Sequence, residues 1–208
     1  MGEELIWLDG MVRSRASAMA DDTAMRDLAP TTPRSGAETG AWIVGNASSL
    51  VEALREAGPD ASMWNPLPTM PGTVAFFARR FAHETLMHRT DAALPLGATV
   101  VIAPEVARDA LAEWMELGGL PEMLVFHPHR RELLGPGRTL RVGEWFVDLT
   151  GEVMVHRQAR PDDEVAVTVD GPAPDLLLYL YRRADERPLT VTGDRALLAE
   201  WVAANGFA

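Results

Sequence analysis

The hydrophobic period changes once along this chain, and that change constrains the fold more than any other feature. Up to Gly118-Gly119 the apolar residues recur at helical spacing; from Arg138 onward they alternate in short runs between turn residues. A pattern of period 3.6 buries one stripe of a helix, whereas a pattern of period 2 buries one face of a strand. The chain should therefore place helices first and then a small sheet with helices, an α+β class. We expect a helical bundle over 1–120, a linker over 121–137 and a C-terminal α+β domain over 138–208 with a mainly antiparallel sheet.

Four helices are expected in the first part. Glu3 to Ala20 carries Leu5, Leu8, Val12, Ala16 and Met19 on one stripe, but no capping residue precedes it. Asp21 to Arg34 reads as a loop. Glu38 to Ala57 presents Ile43, Ala47, Leu50, Val51 and Leu54, and Gly58-Pro59 ends it. Pro59 to Pro71 is an irregular connection around Trp64 that covers a bundle end or a site. The third helix runs from Gly72 to Ala93. The fourth starts at Pro104 with Glu105 in its first turn, and Val106, Ala110, Leu111, Trp114 and Leu117 form its stripe.

Strands are expected at Thr139–Val142, Trp145–Leu149, Glu152–Arg157, Glu164–Val169 and Leu189–Thr192. Pro172 to Arg183 fits a buried strand or a helix; the leading prolines and the terminal Arg182-Arg183 favour a helix. Asp194 should cap a last helix reaching Ala204.

Composition removes several function classes. With no cysteine, the chain has no disulfide, thiolate metal site or cysteine nucleophile, so thiol chemistry would need a small-molecule thiol. A net charge of -11 argues against a nucleic-acid partner. No apolar run is long enough for a membrane span, and Met1-Gly2-Glu3-Glu4 is acidic where a signal peptide is basic, so a cytoplasmic protein is expected. The Arg-rich, Lys-poor composition suggests a high-GC bacterial genome. No phosphate-binding loop, dinucleotide fingerprint or Gly-x-Ser-x-Gly elbow is present.

The chemistry concentrates in the third helix. At 100° per residue, Val74, Phe77, Phe81, Glu84 and His88 fall within an arc of about 80°. The apolar stripe thus runs into a carboxylate and an imidazole one turn apart. Burying a lone carboxylate is costly, so the pair reads either as two ligands of one metal or as an i,i+4 surface pair worth about 0.2–0.5 kcal/mol. The segment is not a zinc-peptidase HExxH motif: His83 and His88 are five residues apart, about 140° around the helix. His83 should face away from the stripe as a solvated or helix-packing residue. His127 and His129 are expected as loop residues beside Arg130-Arg131, with a metal role as the alternative, and His156 as a structural residue in a strand.

The run Arg79-Arg80-Phe81-Ala82-His83-Glu84-Thr85-Leu86-Met87-His88-Arg89-Thr90-Asp91-Ala92 resembles the RRxAHExxxHRxDA signature of the mycothiol-dependent maleylpyruvate isomerase family of actinobacteria. Val169-Asp170-Gly171-Pro172-Ala173 with Asp175-Leu176-Leu177-Leu178, Arg183 and Val191-Thr192-Gly193-Asp194 resembles that family's C-terminal domain. The resemblance implies a DinB-like bundle followed by a small α+β domain. It implies a divalent metal, usually zinc, held by Glu84, His88 and one His from an earlier helix, with mycothiol as thiol cofactor and a small organic substrate. Arg183 matches an arginine that the family places near its site; a surface Arg at a helix C-terminus is the plain alternative.

One departure accompanies the match. The family's first metal His precedes a pattern that falls here at Met1-Gly2-Glu3-Glu4, which puts it immediately upstream of Met1. The first bundle helix is expected to be missing as well, and the exposed seam to drive homo-oligomerisation. Two functions follow: a metal- and mycothiol-dependent isomerase or transferase, with the site incomplete in this chain, or a non-catalytic binding or regulatory protein that retains the fold.

Overall fold

The computed structural model describes residues 35–63, 65 and 69–205. The expected helix Glu3–Ala20, the loop 21–34 and Trp64 lie outside the described residues. The chain divides into two compact units, 1–97 and 98–208.

In the first unit, α1 spans Gly36–Ala57 and α2 spans Val74–Ala93. Ser35 and Glu38 form a reciprocal capping box at the start of α1. Two otherwise unpartnered backbone donors are satisfied there, which is why the helix begins before the apolar periodicity does. Thr73 caps α2 by accepting from the Phe76 N–H at 3.3 Å. The connection is pinned by a Ser62–Thr73 bridge and by Met63 N–H donating to Gly72 C=O at 2.8 Å. A Cβ on Gly72 would sit 2.9 Å from the Met63 carbonyl oxygen, so the close approach needs glycine. Leu50 and Ala53 pack with Met63, Val74, Phe77 and Phe81, the expected stripe of α2. Val51, expected on the α1 stripe, is instead exposed, because the buried arc is centred nearer Ala53. A short 3-10 turn, Leu94–Leu96, ends at Gly97 in the left-handed region.

The second unit begins with α3, Pro104–Gly118. This helix was expected to belong to the bundle. It instead packs against α5 (Ala173–Leu180) and β3 (Val155–Gln158). Its buried arc, from Ala107 through Ala110, Leu111, Trp114 and Met115 to Gly118, is broad enough to meet both, and Val106 lies outside it. The expected linker holds a short helix α4, Met123–Phe126, and a 3-10 helix, Pro128–Leu133.

The remaining strands are β1 Thr139–Val142, β2 Trp145–Asp148, β4 Val167–Asp170 and β5 Thr190–Gly193. The sheet order is β3-β2-β1-β4-β5. All neighbours are antiparallel except β1 and β4, which run parallel, with Val142 opposite Val169. Leu140, Val142, Val167 and Val169 point to the core at period 2. The segment with two readings, 172–183, is helical, and Leu176, Leu177 and Leu180 bury one face of it. α6, Arg195–Asn205, is capped by Asp194, whose Oδ1 accepts from the Ala196 and Leu197 N–H groups at 3.0 Å. The expected class holds: a helical N-terminal region of DinB-like type, of which α1 and α2 are described, then a small α+β domain. Among the described residues no helix is long and apolar enough to cross a membrane.

Candidate metal centre

α2 brings Glu84 and His88 together as their spacing predicts. His88 Nε2 lies 3.7 Å from Glu84 Oε2, and the two side chains are 34% and 39% exposed. They are thus half-buried, where the apolar residues of the same arc are covered. Below them Phe77 and Phe81 are in ring contact at 5.7 Å between centroids, so the pair stands at the open end of an apolar stripe.

Two ligand atoms of a tetrahedral zinc, each about 2.0–2.1 Å from the ion, are separated by about 3.3 Å. The observed 3.7 Å fits that chord with a small side-chain rotation. A carboxylate oxygen and an imidazole nitrogen are also suitable donors for such an ion. Asp91, one turn on, places Oδ2 4.0 Å from His88 Nδ1. That is too long for a direct hydrogen bond, so Asp91 stands near the second ring nitrogen of His88 without being bonded to it. Arg80 ion-pairs with Glu84 Oε1 from the preceding turn. Among the described residues no group of three or more His, Asp or Glu side chains is arranged around one metal position. The described residues there bring together two side chains that could hold a metal, Glu84 and His88, and a nearby carboxylate, Asp91. Glu84 and His88 stand out in the sequence, whereas Asp91 and Arg80 do not, although their i,i+3 and i,i+4 spacing to that pair is visible there.

Of the two places expected for His83, solvated or helix-packing, the structure gives the second. The residue faces away from the Phe77–Phe81 stripe, yet it is 3% exposed. His83, Met87 and Thr90 fall within an arc of about 60° and are all buried. The C-terminal half of α2 therefore has a second covered face, which apolar periodicity alone does not reveal because His and Thr interrupt it.

Arg183 lies in the second unit, in the turn after α5. It is half-buried, donates from Nη1 to the Tyr181 carbonyl at 2.5 Å, and its guanidinium is 6.0 Å from the Tyr181 ring centroid. His127 and His129 stand 5.9 Å apart in a T-shaped pair. Burial first, then the charge of Arg130, lowers the His127 pKa. His156 is structural, as expected. Its Nδ1 pairs with the Met115 carbonyl at 2.9 Å, and its ring stacks on Trp114 and meets Trp201 edge-on.

Residues 1–93 match the family model described as the mycothiol maleylpyruvate isomerase N-terminal domain. No curated protein and no solved structure shows significant similarity to the chain.

Proposed function

We propose, from the match of residues 1–93 to the mycothiol maleylpyruvate isomerase N-terminal domain model, that the chain is a metal-dependent isomerase or transferase that uses a small-molecule thiol. The observation that carries the reading is the 3.7 Å approach of His88 Nε2 to Glu84 Oε2 within the matched segment. Glu84 and His88 would be two of the ligands of a divalent ion, with zinc the best match to an oxygen–nitrogen donor set. Such an ion supplies Lewis acidity and lowers the pKa of a bound thiol or water. With a metal on Nε2, the His88 proton would sit on Nδ1, where Asp91 is the carboxylate within reach through a small side-chain rotation. Arg80 balances the Glu84 charge while the carboxylate is uncoordinated and must release Oε1 if both oxygens bind. Arg183 is proposed to receive the anionic group of a small organic substrate, since a guanidinium matches a carboxylate fork. Self-association through the helical region belongs to the same reading. It is supported by Val44 and Val51, exposed at 66% and 40% on α1, and contradicted by a monodisperse monomer in sedimentation velocity.

A second reading has its own observation. The Arg80–Glu84 ion pair satisfies the carboxylate without a metal, as expected of a non-catalytic binding or regulatory protein that retains the fold. Metal analysis of the purified full chain separates the two readings. The first predicts bound zinc that Glu84→Ala and His88→Ala each remove. The second predicts none, before or after zinc is supplied.

A further inference from the structure

A cleft of about 410 Å³ opens in the second unit, remote in sequence from Glu84 and His88. It sits where the two parallel strands end. Gly143 N–H donates to the Val169 carbonyl at 2.9 Å, and beyond that bond β1 turns toward β2 while β4 leaves through Asp170-Gly171-Pro172 into α5. The space outside the carboxyl ends of parallel strands is where open sheets most often take ligands. Its volume lies within the usual range for small-molecule sites.

Four charged side chains line the cleft: Arg108 from α3, Arg141 from β1, Glu144 from the hairpin and Asp170 from the end of β4. Arg141 is held by a 3.4 Å bond from Nε to the Gly143 carbonyl, and Asp170 Oδ1 accepts from the Gly171 N–H at 2.9 Å. Among the described residues neither arginine forms an ion pair with either carboxylate. Two cations and two anions line one small space, and no cation is ion-paired with either anion, so the lining carries no net charge. A simple anion would satisfy the guanidinium groups but sit beside two carboxylates, and a simple cation the reverse. A molecule with both charges satisfies all four groups. Leu111 and Trp145 add an apolar wall.

We infer that this cleft binds a small zwitterion of the amino-acid class, its carboxylate on Arg108 and Arg141, its ammonium on Glu144 and Asp170, and an apolar side chain on Leu111 and Trp145. L-leucine is a suitable probe, with 4-methylpentanoate lacking the ammonium and isoamylamine lacking the carboxylate. In calorimetric titration of the full chain, L-leucine should bind saturably and each truncated probe about tenfold or more weaker, the scale of one lost charge-assisted bond. Arg108→Ala and Glu144→Gln, both at exposed positions, should weaken L-leucine by a similar factor. In the unaltered chain, amide shifts should move at Gly143, Glu144 and Gly171. No saturable binding, equal binding of 4-methylpentanoate, indifference to both substitutions, or shifts confined elsewhere would overturn the assignment.

Discussion

Acidification should destabilise the second unit through one side chain, His156. As a residue His156 is half-buried, but its Nε2 is sealed from solvent and has no hydrogen-bond partner among the described residues. The exposure therefore lies on other atoms, and the ring itself sits between Trp114 and Trp201. Burial is the main cause that pushes its pKa down from 6.5 to about 4; the bond to the Met115 carbonyl opposes that shift, and the Arg130 charge adds to it. The folded state then binds fewer protons than the unfolded chain between pH 6.5 and 4. Its stabilising effect is complete above pH 6.5 and is lost as pH falls toward 4. At pH 4.5 the loss relative to pH 7.5 is on the order of 2–3 kcal/mol. Urea denaturation followed by tryptophan fluorescence at the two pH values measures the loss. His156→Gln retains an amide donor for the Met115 carbonyl without a titrating ring, so its pH dependence should be smaller by about that amount. A native His156 that titrates near 6.5 by NMR, or equal pH dependence in the two proteins, refutes the reasoning.

Other consequences follow from single positions. Gly193 has φ +93°, and a Cβ there would lie 2.2 Å from the Ala166 carbonyl oxygen. Gly193→Ala should therefore cost about 2 kcal/mol or more in urea denaturation; a change under roughly 0.5 kcal/mol contradicts the strain argument. Asp91→Asn should weaken zinc retention by about 10–100-fold while leaving the fold intact, measured by competition with a chelator. Unchanged retention would remove Asp91 from the site.

Much of the fold was legible because local chemistry decided it. β1 occupies Thr139–Val142 as the alternation predicts, and α3 starts at Pro104 because proline is favoured in a first turn. Asp194 caps α6 for the reason its side chain suggests. The residues of the Val-Thr-Gly-Asp run owe their places to backbone geometry, Gly193 to a crowded left-handed turn and Asp194 to a helix start. What was not legible depends on partners. The stripe of α3 announces a buried helix but not its neighbours, which include α5 and β3. His83 and Thr90 are polar types on a covered face, so periodicity left His83 between a solvated and a helix-packing place and did not mark Thr90 as buried. At the site, one helical turn fixes the Glu84–His88 relation, whereas the charged cleft combines residues from α3, β1, the hairpin and the end of β4, which no spacing rule connects.

The central claim is that Glu84 and His88 are metal ligands. Elemental analysis of the full chain after zinc loading and exhaustive dialysis tests it most directly. About one tightly held zinc per chain, lost in both Glu84→Ala and His88→Ala while the helical circular dichroism persists, is the predicted result. Zinc that washes out of the unaltered chain, or that stays bound in both substituted chains, contradicts it.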